Sequence, residues 1–224
     1  MHARTLALAG SLMLLASGPR AAPAGGTVTG SVVVVRDGKV VTNAEWVYVY
    51  LQPVRAKRIE YGKGATFAIK QVAQQFDPHV LVVPLGAAVA FPNKDTQDHN
   101  VFSPTEPGFD LKKFGPGNSP AQVFHEDGEY AIYCDIHKDM WAKVKVIESA
   151  WFAPVVNGAF TIANVPPGRY KAVAWAPDSR DVPSEVIVVE DGGTVKVPAD
   201  QLHLQLAKPA ALHVRKDGSA YPPY

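Results

Sequence analysis

The nonapeptide YCDIHKDMW, residues 133–141, holds the sole cysteine of the 224-residue chain, with a histidine three positions on and a methionine three beyond that. Thiolate, imidazole and thioether are side chains that bind soft transition metals, and here they stand at three-residue steps. Cys134 has no disulfide partner within the chain. In an oxidising compartment such a thiol is open to oxidation or intermolecular pairing unless something occupies it. A bound metal would do so.

The N-terminus points to such a compartment. Met1 to Arg4 form a short basic head, Thr5 to Ser17 an apolar run, and Ala22-Pro23-Ala24 supply small residues for cleavage. Residues 1–24 therefore read as a cleavable signal peptide, with the mature protein exported to the periplasm. The apolar run is too short to span a bilayer, and no later stretch approaches the roughly 20 apolar residues of a membrane helix. Loss of Arg4 and Arg20 reduces 22 Lys+Arg to 20 against 21 Asp+Glu, a net charge of −1. That balance gives no electrostatic footprint for nucleic acid. Cleavage also removes Met1 and Met13, leaving Met140 as the one methionine beside the one cysteine.

Between these landmarks the chain reads as all-β. Short alternating or β-branched runs recur, among them SVVVV (31–35), WVYVYL (46–51), ATFAI (65–69), HVLVVP (79–84), AAVAF (87–91), AQVFH (121–125), YAIYC (130–134), AKVKVI (142–147), GAFTI (158–162), YKAVAW (170–175) and EVIVV (185–189). Turn residues (RDGK, PLG, EDGE, VNG, VPPG, EDGG) separate them. No segment sustains a 3.6-residue apolar period; Lys70 to Phe76 is expected to make a helical turn at most. The pattern predicts β-sandwiches, with the Pro-rich residues 208–224 as a flexible tail.

A His2Cys set with a weak axial methionine is the arrangement of blue-copper electron-transfer sites. The nonapeptide supplies Cys134, His137 and Met140, so a second histidine must come from elsewhere. His99, in FPNKDTQDHNVFS, is the best candidate, since a strand and a polar turn lead into it. His79 and His125 lie at strand ends without a companion ligand, His203 stands alone, and His213 lies in the tail; these take a structural reading.

Four signals in order now resemble a known family, the cupredoxins of the amicyanin and plastocyanin branch: Gly86 to Asn93, His99-Asn100-Val101, Gly128 with Tyr130, and Tyr-Cys-x-x-His-x-x-Met followed by the strand Val144 to Ile147. The resemblance covers residues 65–149 and implies a Greek-key β-sandwich in which His99, Cys134, His137 and Met140 hold one copper ion cycling between Cu(I) and Cu(II). It implies Asn100 as the residue that ties the two ligand loops together, and His137 as the more exposed histidine. Tyr133, on the strand face opposite Cys134, is either an electron route or an ordinary packing tyrosine. Trp141 reads as packing. Where the family carries proline and apolar surface around the second histidine, this loop has Asp135, Ile136, Lys138 and Asp139.

Residues 157–176, NGAFTIANVPPGRYKAVAWA, resemble the second half of a carboxypeptidase regulatory-like domain, a small transthyretin-like sandwich; TVTGSVVVVRDGKVVTNAEWVYVYL (27–51) resembles its first half. The organisation expected is a discontinuous sandwich at 25–57 and 150–207 interrupted by a cupredoxin domain at 58–149. The simpler alternative places 27–51 in the copper-site sheet and leaves a separate module at 151–206.

The expected function is that of a one-electron carrier rather than an enzyme. No Ser, His and Asp set has a recognisable motif, no Gly-rich phosphate loop is present, and a single cysteine rules out the two-cysteine dinuclear centre of oxidases. A closed ligand set suits outer-sphere transfer, whereas metal catalysis wants an open position. The implied partner is a redox protein, a c-type cytochrome or a dehydrogenase. Copper delivery or sensing, and a purely structural or interaction role, are the competing readings.

Overall fold

The computed structural model describes residues 25–55, 61–207 and 215–219, and every helix or strand assigned among them is a strand. The signal-peptide reading at 1–24, the expected boundary at 57/58, His213 and most of the tail lie outside the described residues. The chain opens with β1 (Gly26–Ser31), β2 (Val33–Arg36), β3 (Lys39–Val40) and β4 (Tyr48–Pro53). It continues through β5 (Thr66–Ala68), β6 (Lys70–Val72), β7 (Gln75–Asp77), β8 (Val80–Pro84), β9 (Ala88–Ala90), β10 (His99–Ser103), β11 (Phe109–Phe114), β12 (Ala121–Val123), β13 (Gly128–Tyr133) and β14 (Trp141–Ile147). It closes with β15 (Phe152–Pro154), β16 (Ala159–Val165), β17 (Gly168–Trp175), β18 (Val182–Val189), β19 (Thr194–Lys196) and β20 (His203–Gln205).

Strand pairing divides along these same groups. β1 pairs with β16 and β19, β2 with β3 and β20, and β4 with β15 and β17. The strands from β5 to β14 pair among themselves, as a five-stranded sheet β11-β10-β13-β14-β8, a three-stranded sheet β12-β9-β5 and the hairpin β6-β7. Each group encloses its own core. Val28, Val49, Leu51, Ile162, Val165, Ala172 and Leu204 anchor one, and Ile69, Phe76, Val89, Phe91, Val101, Ile132, Cys134, Met140 and Val144 anchor the other. Each large apolar side chain so buried contributes about 1.5–3 kcal/mol.

Strand alternation explains how the cores meet. Along β14 the side chains of Ala142, Val144 and Val146 enter the second core, while Lys143, Lys145 and Ile147 occupy the opposite face. There Ile147 joins Tyr50, Val80, Val82, Val173 and Trp175 in a third apolar cluster between the groups. Ion pairs border it: Lys143 lies 3.0 Å from Glu129 and 2.6 Å from Asp178, and Lys145 lies 3.0 Å from Asp181, which also accepts from the Tyr50 hydroxyl at 2.7 Å.

One local expectation is corrected. Lys70 to Phe76 makes no helical turn but folds as the β6-β7 hairpin, because Ala73 and Gln74 both adopt positive φ (52° and 56°) as the two residues of its tight turn. That backbone matches the twist of the flanking strands, and Phe76 is thereby buried in the second core.

Candidate metal centre

β10 and the β13-β14 loop bring the donors together. His99 begins β10, Cys134 follows the last residue of β13, and Met140 precedes the first residue of β14. On β13, Tyr130 and Ile132 point into the core, so the same alternation buries Cys134 and leaves Tyr133 half-buried on the other face. The loop is closed on itself: Met140 N–H donates to the His137 carbonyl at 3.2 Å, and Cys134 N–H to the Met140 carbonyl at 3.3 Å.

The resulting cluster is His99, Cys134 and His137, whose donor atoms lie within 4.8 Å of one another. His99 Nδ1 is 3.1 Å from His137 Nδ1, and that nitrogen is 3.6 Å from Cys134 Sγ. His99, Cys134 and Met140 are each 0% exposed, while His137 is half-buried. His137 is thus the histidine nearer solvent.

Asp95, which the sequence reading did not single out, sets the chemistry of His99. Its Oδ2 accepts from His99 Nε2–H at 2.7 Å and from Gln74 N–H at 2.9 Å, and its Oδ1 accepts from Ala73 N–H at 2.6 Å. Burial pushes the Asp95 carboxyl up, but the hydrogen bonds from Gln74, His99 and Ala73 outweigh it and hold the group below its ordinary value. A carboxylate on Nε2 orients the His99 ring so that Nδ1 faces His137. Burial, reinforced by the His99 ring, pulls the His137 imidazole below its ordinary value against the opposing charge of Asp95. Its lone pair is therefore available at neutral pH.

This donor set fits a copper ion. At the bond lengths these donors make to a zinc ion, about 2.0–2.1 Å for imidazole and about 2.3 Å for thiolate, three donors coplanar with a metal would stand about 3.5 Å apart nitrogen to nitrogen and about 3.8 Å apart nitrogen to sulfur. The His99–His137 and His137–Cys134 separations, 3.1 and 3.6 Å, match within about half an ångström, and the third side of the triangle is no longer than 4.8 Å, so modest shifts of the rings suffice.

Asn100 joins the two segments that carry the candidate donors. Its Oδ1 accepts from Asp135 N–H at 3.3 Å, and its Nδ2 donates to Asp110 Oδ1 at 2.9 Å. Tyr133 packs against Phe102 on β10, ring centres 6.0 Å apart, and stands opposite Trp141 in the β13-β14 ladder. Trp141 in turn stacks on His79 at 4.8 Å and meets the edge of Trp46 at 5.6 Å. His79 is thus a packing residue beside the site, its Nδ1 3.0 Å from the Trp141 carbonyl. His203 lies exposed on β20, opposite Val33 of β2 in the other strand group.

No family model and no curated protein matches the chain. Among solved structures it is similar to a purple cupredoxin from Nitrosopumilus maritimus, at 26% identity over 36% of this chain and 99% of that one, with a TM-score of 0.33. It is similar to an amicyanin variant in its reduced Cu(I) form at pH 4, at 21% identity over 37% and 83% of the two chains, TM-score 0.35. A copper-containing nitrite reductase from Thermus scotoductus SA-01 is 29% identical over 43% of this chain and 25% of that chain, TM-score 0.36. No helix among the described residues is long and apolar enough to cross a membrane.

Proposed function

We propose that the protein is a periplasmic, mononuclear type 1 copper protein that carries single electrons between redox partners. The observation that carries this reading is the triangle of His99 Nδ1, His137 Nδ1 and Cys134 Sγ, with the thioether of a buried methionine in the same closed loop. Copper bound there would supply one-electron chemistry, alternating between Cu(II) and Cu(I). Cys134 would provide the thiolate, His99 and His137 the two imidazoles, and Met140 a weaker thioether donor.

The surroundings suit electron transfer better than catalysis. Three of the four donors are inaccessible to solvent, and the loop hydrogen bonds hold them in place, so little rearrangement is required when charge changes. Asp95 orients His99; Asn100 keeps the Cys134 segment against β10. His137 offers the nearest edge to a partner, and Tyr133, covalently next to Cys134 and beside Phe102, offers a second path. The partner class is a c-type cytochrome or a dehydrogenase.

Mixing the reduced, copper-loaded protein with an oxidised c-type cytochrome tests the reading. The expected result is reduction of the haem by one electron per copper, with copper retained. Release of Cu(I) to a chelator with the haem still oxidised would instead mark a delivery protein.

A further inference from the structure

The segment Arg215–Ser219 is remote in sequence from the metal centre, yet it lies on both stretches that carry the ligands. It is a self-contained turn: Gly218 N–H donates to the Arg215 carbonyl at 2.9 Å and Arg215 N–H to the Ser219 carbonyl at 3.0 Å. From this turn Lys216 N–H donates to Asp135 Oδ1 at 2.9 Å. The Lys216 ammonium donates to Asp110 Oδ2 at 3.1 Å, lies 4.0 Å from Asp135 Oδ2, and sits 5.9 Å over the Phe102 ring. Arg215 Nε stands 3.8 Å from Asp135 Oδ1.

These contacts close a ring. Lys216 holds Asp110 and Asp135; Asp110 holds the Asn100 amide; the Asn100 carbonyl oxygen holds Asp135 N–H. Asn100 is the covalent neighbour of His99, and Asp135 that of Cys134. Burial pushes the Asp110 carboxyl up, but hydrogen bonds from Lys112, Asn100 and Lys216 outweigh it and hold the group far below the ordinary carboxylate range. It is therefore an anion wherever the protein is folded at neutral pH.

We infer that Lys216, with Arg215, is a positioning residue of the metal centre: the C-terminal turn is a strap that fixes the Cys134-Asp135 segment against His99-Asn100 and offsets the negative charge beside the site. The geometric half of this needs no metal, while the electrostatic half rests on the copper reading. Carboxylates near the ion favour Cu(II) over Cu(I), and cations beside them do the reverse. The strap thus answers why a charged residue follows Cys134: Asp135 is its anchor.

The test uses the full chain carrying Arg215→Ser and Lys216→Ser together, and separately Asp135→Asn. In the copper-free protein, amide exchange at Asp135 is expected to quicken about fivefold in the double variant, the loss of a partly exposed charge network, with Ala172 N–H in the other core unchanged. In the copper-loaded protein the reduction potential is expected to fall in the double variant and to rise in Asp135→Asn. Quickened exchange with no copper bound would leave the strap standing and remove the copper reading. Unchanged exchange at Asp135 overturns the strap, even where the potential moves through charge alone.

Discussion

At the scale of single residues, the His99 ring is held from two sides, with Asp95 Oδ2 2.7 Å from its Nε2 and His137 Nδ1 3.1 Å from its Nδ1. Cys134, His137 and Met140 announce themselves by a three-residue spacing within one loop, and His99 by the polar turn before it. Asp95, Asp110 and Lys216 carry no such signature, because their partners lie on other strands or at the far end of the chain, and a lone carboxylate or lysine in a polar stretch is indistinguishable from a solvated one. Asp95→Asn retains size but loses the charge-assisted bond to His99. Copper affinity is expected to drop about 10–100-fold, read by competition with a chelator of known affinity; an unchanged affinity would remove Asp95 from the site. Met140→Leu is expected to keep the thiolate-to-copper absorption while shifting the reduction potential, since an axial thioether tunes the centre without supplying its strong bond.

Among the elements, the strands with clean alternation were readable, and those shaped by neighbours were not. β13 and β14 follow their period-2 pattern, and burial of Tyr130, Ile132 and Cys134 on one face is what that pattern dictates. The β6-β7 hairpin escaped because its turn is Ala-Gln rather than Asn-Gly, so the strongest local signal was missing. What replaces that signal is tertiary: Asp95 accepts both turn N–H groups, and Phe76 is held in the core. Two non-glycine residues therefore sit at positive φ, a conformation that costs side-chain-bearing residues free energy. Ala73→Asn with Gln74→Gly should relieve it, raising the free energy of unfolding by about 1 kcal/mol, measured as a denaturant midpoint at unchanged slope. A lowered midpoint would show that the native side chains contribute packing there.

For the whole molecule, all-β character was plain from the runs and turns, whereas which strands pair is a property of distant segments. Among the described residues, the ladders give β1, β2 and β4 partners only from the last third of the chain and from β3. β4 and β15 are moreover antiparallel neighbours, with Tyr50 opposite Phe152. The chain thus leaves the first group and returns to it at adjacent points, the geometry of an insertion. We propose that 25–57 and 150–207 form one discontinuous sandwich that accepts 58–149 as an inserted unit. Replacing 58–149 with a short Gly-Ser linker is expected to leave a chain with β-sheet circular dichroism, a cooperative thermal transition and no copper binding; a non-cooperative melt would contradict it. The apolar cluster of Tyr50, Val80, Val82, Ile147, Val173 and Trp175, with its bordering lysine pairs, then serves to hold the two units together.

Cys134, His99, His137 and Met140 are proposed to form one redox-active copper site. Titration of the purified protein with Cu(II), followed by visible absorption, tests it most directly. The expected result is saturation at one equivalent with an intense blue thiolate-to-copper band that disappears reversibly on one-electron reduction and is absent in Cys134→Ser. A colourless complex, or the same band in Cys134→Ser, would contradict it.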